Sequence, residues 1–447
     1  MRFGYKSELG AICTAFAAAV SFFVLPRSFL IVAVPAWLVV QRLVARGSRN
    51  GARPPHEGAT YNGGKEGKKD LSPRECQLAF VISRNMNEEE RPVAIVTGTN
   101  SGIGYYTAVG LAVEGYRVVC TCRNPALSES TAAKIRREAE DHRRGRNGDS
   151  MYMEVPETVL VDGRFFLECD DFASVRRFVD QFQATYKRLD VLVNNAGMMR
   201  KRLEFSRHNP QLELHTAVNF LGPLMLTELL VPLLRRSQGR VVYVSSAAHR
   251  FPQMVLEPGL WKTPSKAGLN GRLLDAVEQI NQGELGSTGP LKRNTLGCAF
   301  VRYGTSKLLN IYHAHHIARH HKIPACSLHP GCVGTNFSRD LMTREWIQRI
   351  YQYASLLFLK SWEEGPQTTL HCAMCDVEEL RLVEPLKRTN RTEPVSPYFV
   401  ECGNQTIESL LPYGWDVEEA DRIVEWGQKT GWAGAEIELK KKKREFL

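Results

Sequence analysis

The sequence predicts an α/β protein in which a doubly wound parallel sheet forms one main domain, preceded by a membrane segment and interrupted by two insertions. From Pro92 onward, short apolar β-rich runs alternate with amphipathic stretches of helical length. Glycines cluster directly after the first of these runs, where a strand would turn into a helix. Leu9–Val40 is almost uncharged, although the 447 residues as a whole are ordinary at 43% hydrophobic and 24% charged. That composition excludes general disorder, a collagen-like repeat and a disulfide-stapled miniprotein.

The net charge of +10 belongs to the ends: residues 1–53 carry six of it and 440–447 carry four. The body between them is neutral. A protein that reads nucleic-acid phosphates keeps its basic face on the folded body, so no nucleic-acid partner is expected and a membrane surface fits better. The eleven cysteines are odd in number and scattered through apolar runs, as buried free thiols are in a reducing compartment. Cys120 and Cys122 flank one strand residue and are expected to pack on the same side. Cys372 and Cys375 follow His371 with no second ligand pair nearby, so no metal site is expected there.

Leu9–Val40 spans 32 residues, longer than the roughly 20 a straight spanning helix needs. Pro26 and Arg27 sit mid-segment, where a helix loses a donor and a charge is costly. Arms of 17 and 13 residues about this bend read as a hairpin in one leaflet, with a single tilted span as the alternative. Arg42, Arg46, Arg49 and Arg53 follow and place that side in the cytosol, at the endoplasmic reticulum or on lipid droplets. The acceptor triplets at Asn390 and Asn404 would then stay unmodified. The chain thus divides into an anchor (1–45), a Gly- and Pro-containing linker (46–91), the main domain (92–435) and a basic tail (436–447).

Within the domain the first strand is PVAIVT at 92–97, followed by the turn GTNSGIG and a helix. This arrangement aims backbone N–H groups and a helix N-terminus at a pyrophosphate. Gly98, Asn100, Ser101, Gly102, Ile103 and Gly104 are the expected cradle. The second strand, RVVCTC at 117–122, ends at Arg123 where an acidic residue would hold an NAD ribose. A guanidinium there suits a 2′-phosphate, so NADP(H) is the expected cofactor. A helix at about 125–142, a third strand at 164–169 ending at Asp170, and a helix at 172–187 come next. Strands at 190–193, 240–245 and 323–329 and a helix at 209–235 complete the alternation.

Four further motifs follow in order: Asn194-Asn195-Ala196-Gly197, Asn219 in a helix, Ser245-Ser246 ending the fifth strand, and YGTSK with Tyr303 and Lys307. His329-Pro330-Gly331 lies beyond the sixth strand. Together with TGTNSGIG this set resembles the short-chain dehydrogenase/reductase family, and CRNP, VSSAAH, EEGPQTTLHCAM and PYFVECG resemble its retinol dehydrogenase and WW-domain-oxidoreductase-like branch. The resemblance covers about 92–435 and implies a Rossmann-type fold. It implies catalytic roles for Asn219, Ser246, Tyr303 and Lys307. It also implies that Asp170, Asn195, Ala196, Gly197, Tyr303, Lys307, Pro330 and Gly331 bind the cofactor. Ser246 and Tyr303 are 57 residues apart, an unusual separation that marks an insertion at about 250–298 over the expected substrate entrance. A second insertion is expected at about 143–163.

Tyr303 and Lys307 are four residues apart and share a helix face. An ammonium beside the phenol, helped by an oxidised nicotinamide, would favour the phenolate and make Tyr303 an acid/base. Ser246 would hold the reacting oxygen; by resemblance, Asn219 would hold a water linking Lys307 to solvent. The expected activity is NADP(H)-dependent interconversion of a lipophilic alcohol and its aldehyde or ketone, of retinoid, steroid, polyprenoid or fatty class. A catalytically idle NADP(H)-binding sensor or scaffold is the alternative. His313, His315, His316, His320 and His321 read as a helix surface or a homodimer seam, since the family pairs this helix between subunits, rather than as a metal site.

Overall fold

A computed structural model of the chain describes residues 87–146, 158–252, 272–283, 296–331, 333, 360–361, 364–385, 393–410 and 412–445. The expected membrane segment, the linker up to residue 86, Asn390 and most of the 250–298 insertion lie outside these residues.

Among the described residues one sheet is built from β1 (Val93–Thr97), β2 (Arg117–Thr121), β3 (Leu160–Asp162), β4 (Val191–Asn194), β5 (Arg240–Val244), β6 (Ala325–His329), β7 (Tyr398–Val400) and β8 (Gly403–Asn404). Their spatial order is β3-β2-β1-β4-β5-β6-β7-β8, parallel throughout except for the final β7–β8 hairpin. Every residue of β1, β4, β5 and β6 is buried. This is why these strands read as unbroken apolar runs: central parallel strands are covered on both faces.

One face carries α1 (Gly102–Val113), α2 (Pro125–Arg146) and α7 (Gln367–Met374). The other carries α3 (Phe172–Thr185), α4 (Gly222–Arg236), α6 (Leu296–His316) and α9 (Val417–Glu445). α5 (Arg272–Gln282) adds Leu273 and Val277 to the core of that second face, and α8 (Thr406–Ser409) is a short helix next to the β7–β8 hairpin. The order reverses between β1 and β4, and the loops at the strand carboxyl ends form the crevice where such sheets bind ligands.

The structure corrects several expectations. The third strand is Leu160–Asp162, inside the stretch taken for an insertion, not 164–169. Gly163 lies tight against α2, where a Cβ would sit 2.6 Å from that of Ala132. Beyond it the chain leaves the ladder, keeping one bridge between Cys122 and Phe166. The β-rich composition of 164–169 serves the core instead: Phe165 and Leu167 pack with Phe178 and Phe182.

The helix expected at 209–235 begins later. Phe205 and Glu213 pair as an antiparallel bridge, and a π-helical turn at Thr216–Leu221 then leads into α4. Among the described residues Thr216–Arg236 alone is long and apolar enough to cross a membrane, but 78% of its apolar window is buried as a core helix of the domain.

The histidines of α6 are not a uniform surface. His313 and His315 are fully buried, with His313 Nδ1 2.8 Å from Tyr243 Oη and His315 Nδ1 2.8 Å from Ser396 Oγ. His316 and His320 both meet Asp421 Oδ1, at 3.0 and 2.9 Å, on α9. Arg319 donates to the other oxygen of that carboxylate, so a guanidinium already serves as its cation. The basic stretch from Lys440 continues α9 as far as Glu445.

Candidate active site

The glycine turn between β1 and α1 is shaped by contact with the NNAG segment. Gly98 has φ +72°, and a Cβ there would lie 3.0 Å from Ala196 Cα. A Cβ on Gly104 would lie 2.3 Å from Asn195 Nδ2 and 2.4 Å from Gly98 O. Thr97 holds the two segments together: its Oγ1 accepts from Asn195 N at 3.0 Å and from Ala196 N at 2.9 Å. Asn195 Nδ2 donates to Thr97 O at 2.7 Å. The sequence placed Thr97 at the head of TGTNSGIG but gave it no role, because spacing does not show that its hydroxyl ties the glycine turn to Asn195 and Ala196.

Ser101 is the N-cap of α1 but makes no side-chain cap bond, and Asn100 and Ser101 are exposed. The first-turn amides of α1, at Gly102, Ile103 and Gly104, thus take no side-chain cap from Ser101, and first-turn amides are the donors a pyrophosphate uses. Arg123 is exposed just beyond β2, whose carboxyl end accepts from Gly98 N and Thr99 N through Thr121 O. The cradle and the amides fit the pyrophosphate of a nicotinamide dinucleotide. Asp170 does not end a strand, since β3 stops at Asp162; it accepts from Ser206 Oγ at 2.9 Å and, through its carbonyl, from Asn209 Nδ2 at 3.1 Å. Pro330 and Gly331 are buried past β6, with Gly331 (φ +88°) against the Lys360 side chain.

The chemistry-bearing side chains meet at the carboxyl ends of β4 and β5. A Cβ on Gly197 would lie 3.1 Å from Lys307 Nζ and 3.4 Å from Asn219 Oδ1, so these three residues converge. Asn219 occupies the π-helical turn, a distortion that recurs at functional sites. Its Oδ1 accepts from Met198 N at 2.8 Å, while its Nδ2 donates to Met198 O at 3.0 Å and to Ser306 Oγ at 2.9 Å. Lys307 Nζ donates to Val244 O at 2.8 Å and lies 5.7 Å from the centre of the Tyr303 ring. Ser246, the residue that caps the short 3-10 turn Ala247–Arg250, hydrogen-bonds Tyr303.

Burial dominates the electrostatics. It pushes the Tyr303 phenol above its ordinary range, and the bond to Ser246 opposes this only in part. Burial also lowers Lys307 to about 8. In the protein alone the phenol therefore keeps its proton, whereas the sequence pattern, which counts on an oxidised nicotinamide, favours the phenolate. One side of Tyr303 is apolar: it clusters with Met199, Ala248 and Ala299, and Phe251 and Phe300 pack against the group. Sequence spacing did not reveal this wall, which draws on three separate segments.

A family profile described as short chain dehydrogenase matches residues 92–160 and 143–271. The chain is 31% identical over 321 residues to retinol dehydrogenase 12 of Mus musculus, covering 71% of this chain and 80% of that protein. It is 30% identical over 348 residues to dehydrogenase/reductase SDR family member 13 of Bos taurus, covering 76% and 73%. Retinol dehydrogenase 11 of Homo sapiens matches at 30% over 329 residues, covering 73% and 84%. With its glycine cradle and its Asn219, Ser246, Tyr303 and Lys307 gathered at the strand ends, the chain belongs to the short-chain dehydrogenase/reductase family of oxidoreductases, in the retinol dehydrogenase-like branch.

Proposed function

We propose that the protein is an NADP(H)-dependent oxidoreductase that interconverts a lipophilic alcohol and its aldehyde or ketone while anchored to a membrane. The observation that carries this reading is the placement of Tyr303. Its ring lies beside the buried Lys307 on one side and in a cluster of apolar side chains on the other.

Residues 98–104 and Arg123 would hold the pyrophosphate and the 2′-phosphate. Asn195, Ala196, Gly197, Pro330 and Gly331 would line the crevice toward the nicotinamide. A nicotinamide held there would supply the hydride chemistry at the carbonyl carbon. Tyr303 donates its proton to the carbonyl oxygen in reduction, which suits a phenol kept protonated by burial. Ser246 steadies that oxygen as charge develops. Lys307, braced on Val244 O, supplies positive charge beneath the phenol, and Asn219 holds the adjoining loop through Met198.

The apolar wall favours a substrate with a hydrocarbon body, of retinoid, steroid, polyprenoid or fatty aldehyde class. Such a molecule partitions into membranes, which fits an anchor at residues 1–45 and a cytosolic body at the endoplasmic reticulum or on lipid droplets. The test is NADPH oxidation by the purified protein against a panel of lipid aldehydes and ketones, with short polar carbonyls alongside. Preference for the short polar members would overturn the substrate class. NADPH binding without turnover on any member would favour an idle sensor or scaffold.

A further inference from the structure

Beneath Tyr303 lies a cluster of buried polar side chains for which the chemistry above has no use. Glu213 and His215 are fully buried and Arg302 is 2% exposed. Glu213 Oε1 lies against His215 Nδ1, and Arg302 Nε is 3.3 Å from the same oxygen. Burying a carboxylate and a guanidinium together is costly, and removing one partner leaves the other uncompensated.

Each contact of this cluster reaches a different part of the centre. Glu213 Oε2 accepts from Thr216 N at 3.1 Å, at the start of the π-helical turn that carries Asn219. His215 Nε2 accepts from Arg200 N at 2.9 Å, and Arg302 donates to Lys201 O at 3.0 Å. Both therefore hold the loop that follows Gly197 and Met198. Arg302 is the covalent neighbour of Tyr303, and the His215 ring stands edge-on to the Tyr303 ring with centres 6.4 Å apart. Glu213 N donates to Asn281 Oδ1 at 2.8 Å, which ties in α5 from the 250–298 insertion. One carboxylate thus joins the π turn, the loop and the helix that bear Asn219, Gly197 and Tyr303.

We infer that Glu213 is a positioning residue for catalysis, acting through His215 and Arg302 to hold Tyr303 and Asn219 in register. This rests on the proposed reductase reading. A loosened Tyr303 would misalign with the carbonyl oxygen and admit water around its hydroxyl, while the glycine cradle, closed independently by Thr97 and Asn195, would keep its shape.

The test uses the full chain, intact and as Glu213→Gln, Glu213→Asp and Arg302→Met. NADPH affinity is read by fluorescence, turnover with a long-chain aliphatic aldehyde, and Tyr303 ionisation by difference titration against the Tyr303→Phe form of each background. For Glu213→Gln, kcat per NADPH-binding site should fall about 10- to 100-fold with KM and NADPH affinity within about threefold, as expected of misplacement. The Tyr303 midpoint should drop toward its ordinary value near 10. Arg302→Met should follow, and Glu213→Asp should recover part of both readouts.

Unchanged kcat per binding site and an unchanged midpoint would overturn the inference, as would losses that merely track the fraction of folded protein. If Glu213→Gln does not fold, Arg302→Met decides by the same criteria. If the intact protein turns over no aldehyde, the reductase reading fails by itself. The Tyr303 titration then decides whether Glu213 positions the ring.

Discussion

Gly104 lies so close beneath Asn195 that a methyl group on it would come within 2.3 Å of the amide nitrogen. The glycine turn and the NNAG segment are thus one object, closed by Thr97 and by Asn195 Nδ2 donating to Thr97 O. Gly104→Ala must displace Asn195 and also Gly98 O, and backbone does not yield cheaply. Overpacking of this kind costs about 1–3 kcal/mol. A drop in melting temperature and a loss of NADPH affinity of about tenfold or more are expected, measured by thermal denaturation and fluorescence titration.

Tyr303 is the group placed to deliver the proton. Tyr303→Phe should lower kcat by about 10²- to 10⁴-fold, the usual worth of a positioned general acid, with NADPH affinity nearly unchanged. Lys307→Ala should lose turnover and cofactor affinity together. Steady-state kinetics beside fluorescence titration separates the two patterns; near-normal turnover in Tyr303→Phe would refute the mechanism.

Lys307 links activity and stability to pH with opposite signs. Burial lowers it to about 8 in the folded protein, against about 10.4 in an unfolded chain. Between these values the unfolded chain holds the proton that the folded one has released, so stability should rise with pH across that window. Over the same range the ammonium is lost, so kcat/KM for carbonyl reduction should fall above about pH 8. Lys307→Met should flatten the stability trend, checked by denaturant melts across the window.

Arg123 is expected to set the cofactor preference. NADPH should bind about 10- to 100-fold more tightly than NADH, the 1.5–3 kcal/mol of a hydrogen bond to a charged group. Arg123→Ala should erase the difference by weakening NADPH alone. Equal affinities in the intact protein would remove Arg123 from this role.

Deleting residues 1–45 should release an active protein from membranes, because every catalytic and cofactor motif begins at Thr97 or later. Protease access to a tag on Met1 in sealed microsomes separates a hairpin, with both ends cytosolic, from a single span. Glycosylation at Asn390 or Asn404 would place the body in the lumen and refute the topology.

The central strands were legible because burial on both faces leaves them apolar along their whole length, as in VAIVT, VLVN and RVVYV. The sheet edge was not. RFFLEC looks more like a strand than LVD does, yet Gly163, pressed against α2, ends the ladder before it. Tyr303 and Lys307 stood out because a four-residue spacing puts them on one helix face, and Ser246 and Asn219 because they sit in motifs that resemble the family's. Glu213 and Arg302 were not, since a lone Glu and a lone Arg 89 residues apart read as surface charges until the fold buries both. His313 and His315 misled for the same reason: the sequence does not tell which face of α6 other elements will cover.

α9 has a consequence for how the chain is made. Val417, Ala420, Ile423 and Val424 are buried in the core shared with α3, α4 and α6, and Gly427 lets α9 come down on Phe220 and Leu224. Glu419, fully buried, accepts from the backbone of Leu273 and Leu274 at the start of α5. The core is thus closed by residues that are made after every catalytic side chain, long after the segment expected in the membrane has emerged. A message cut short before Val417 would encode every catalytic side chain and still yield a product with its apolar flank open to water, ready for chaperones and proteases rather than for substrate.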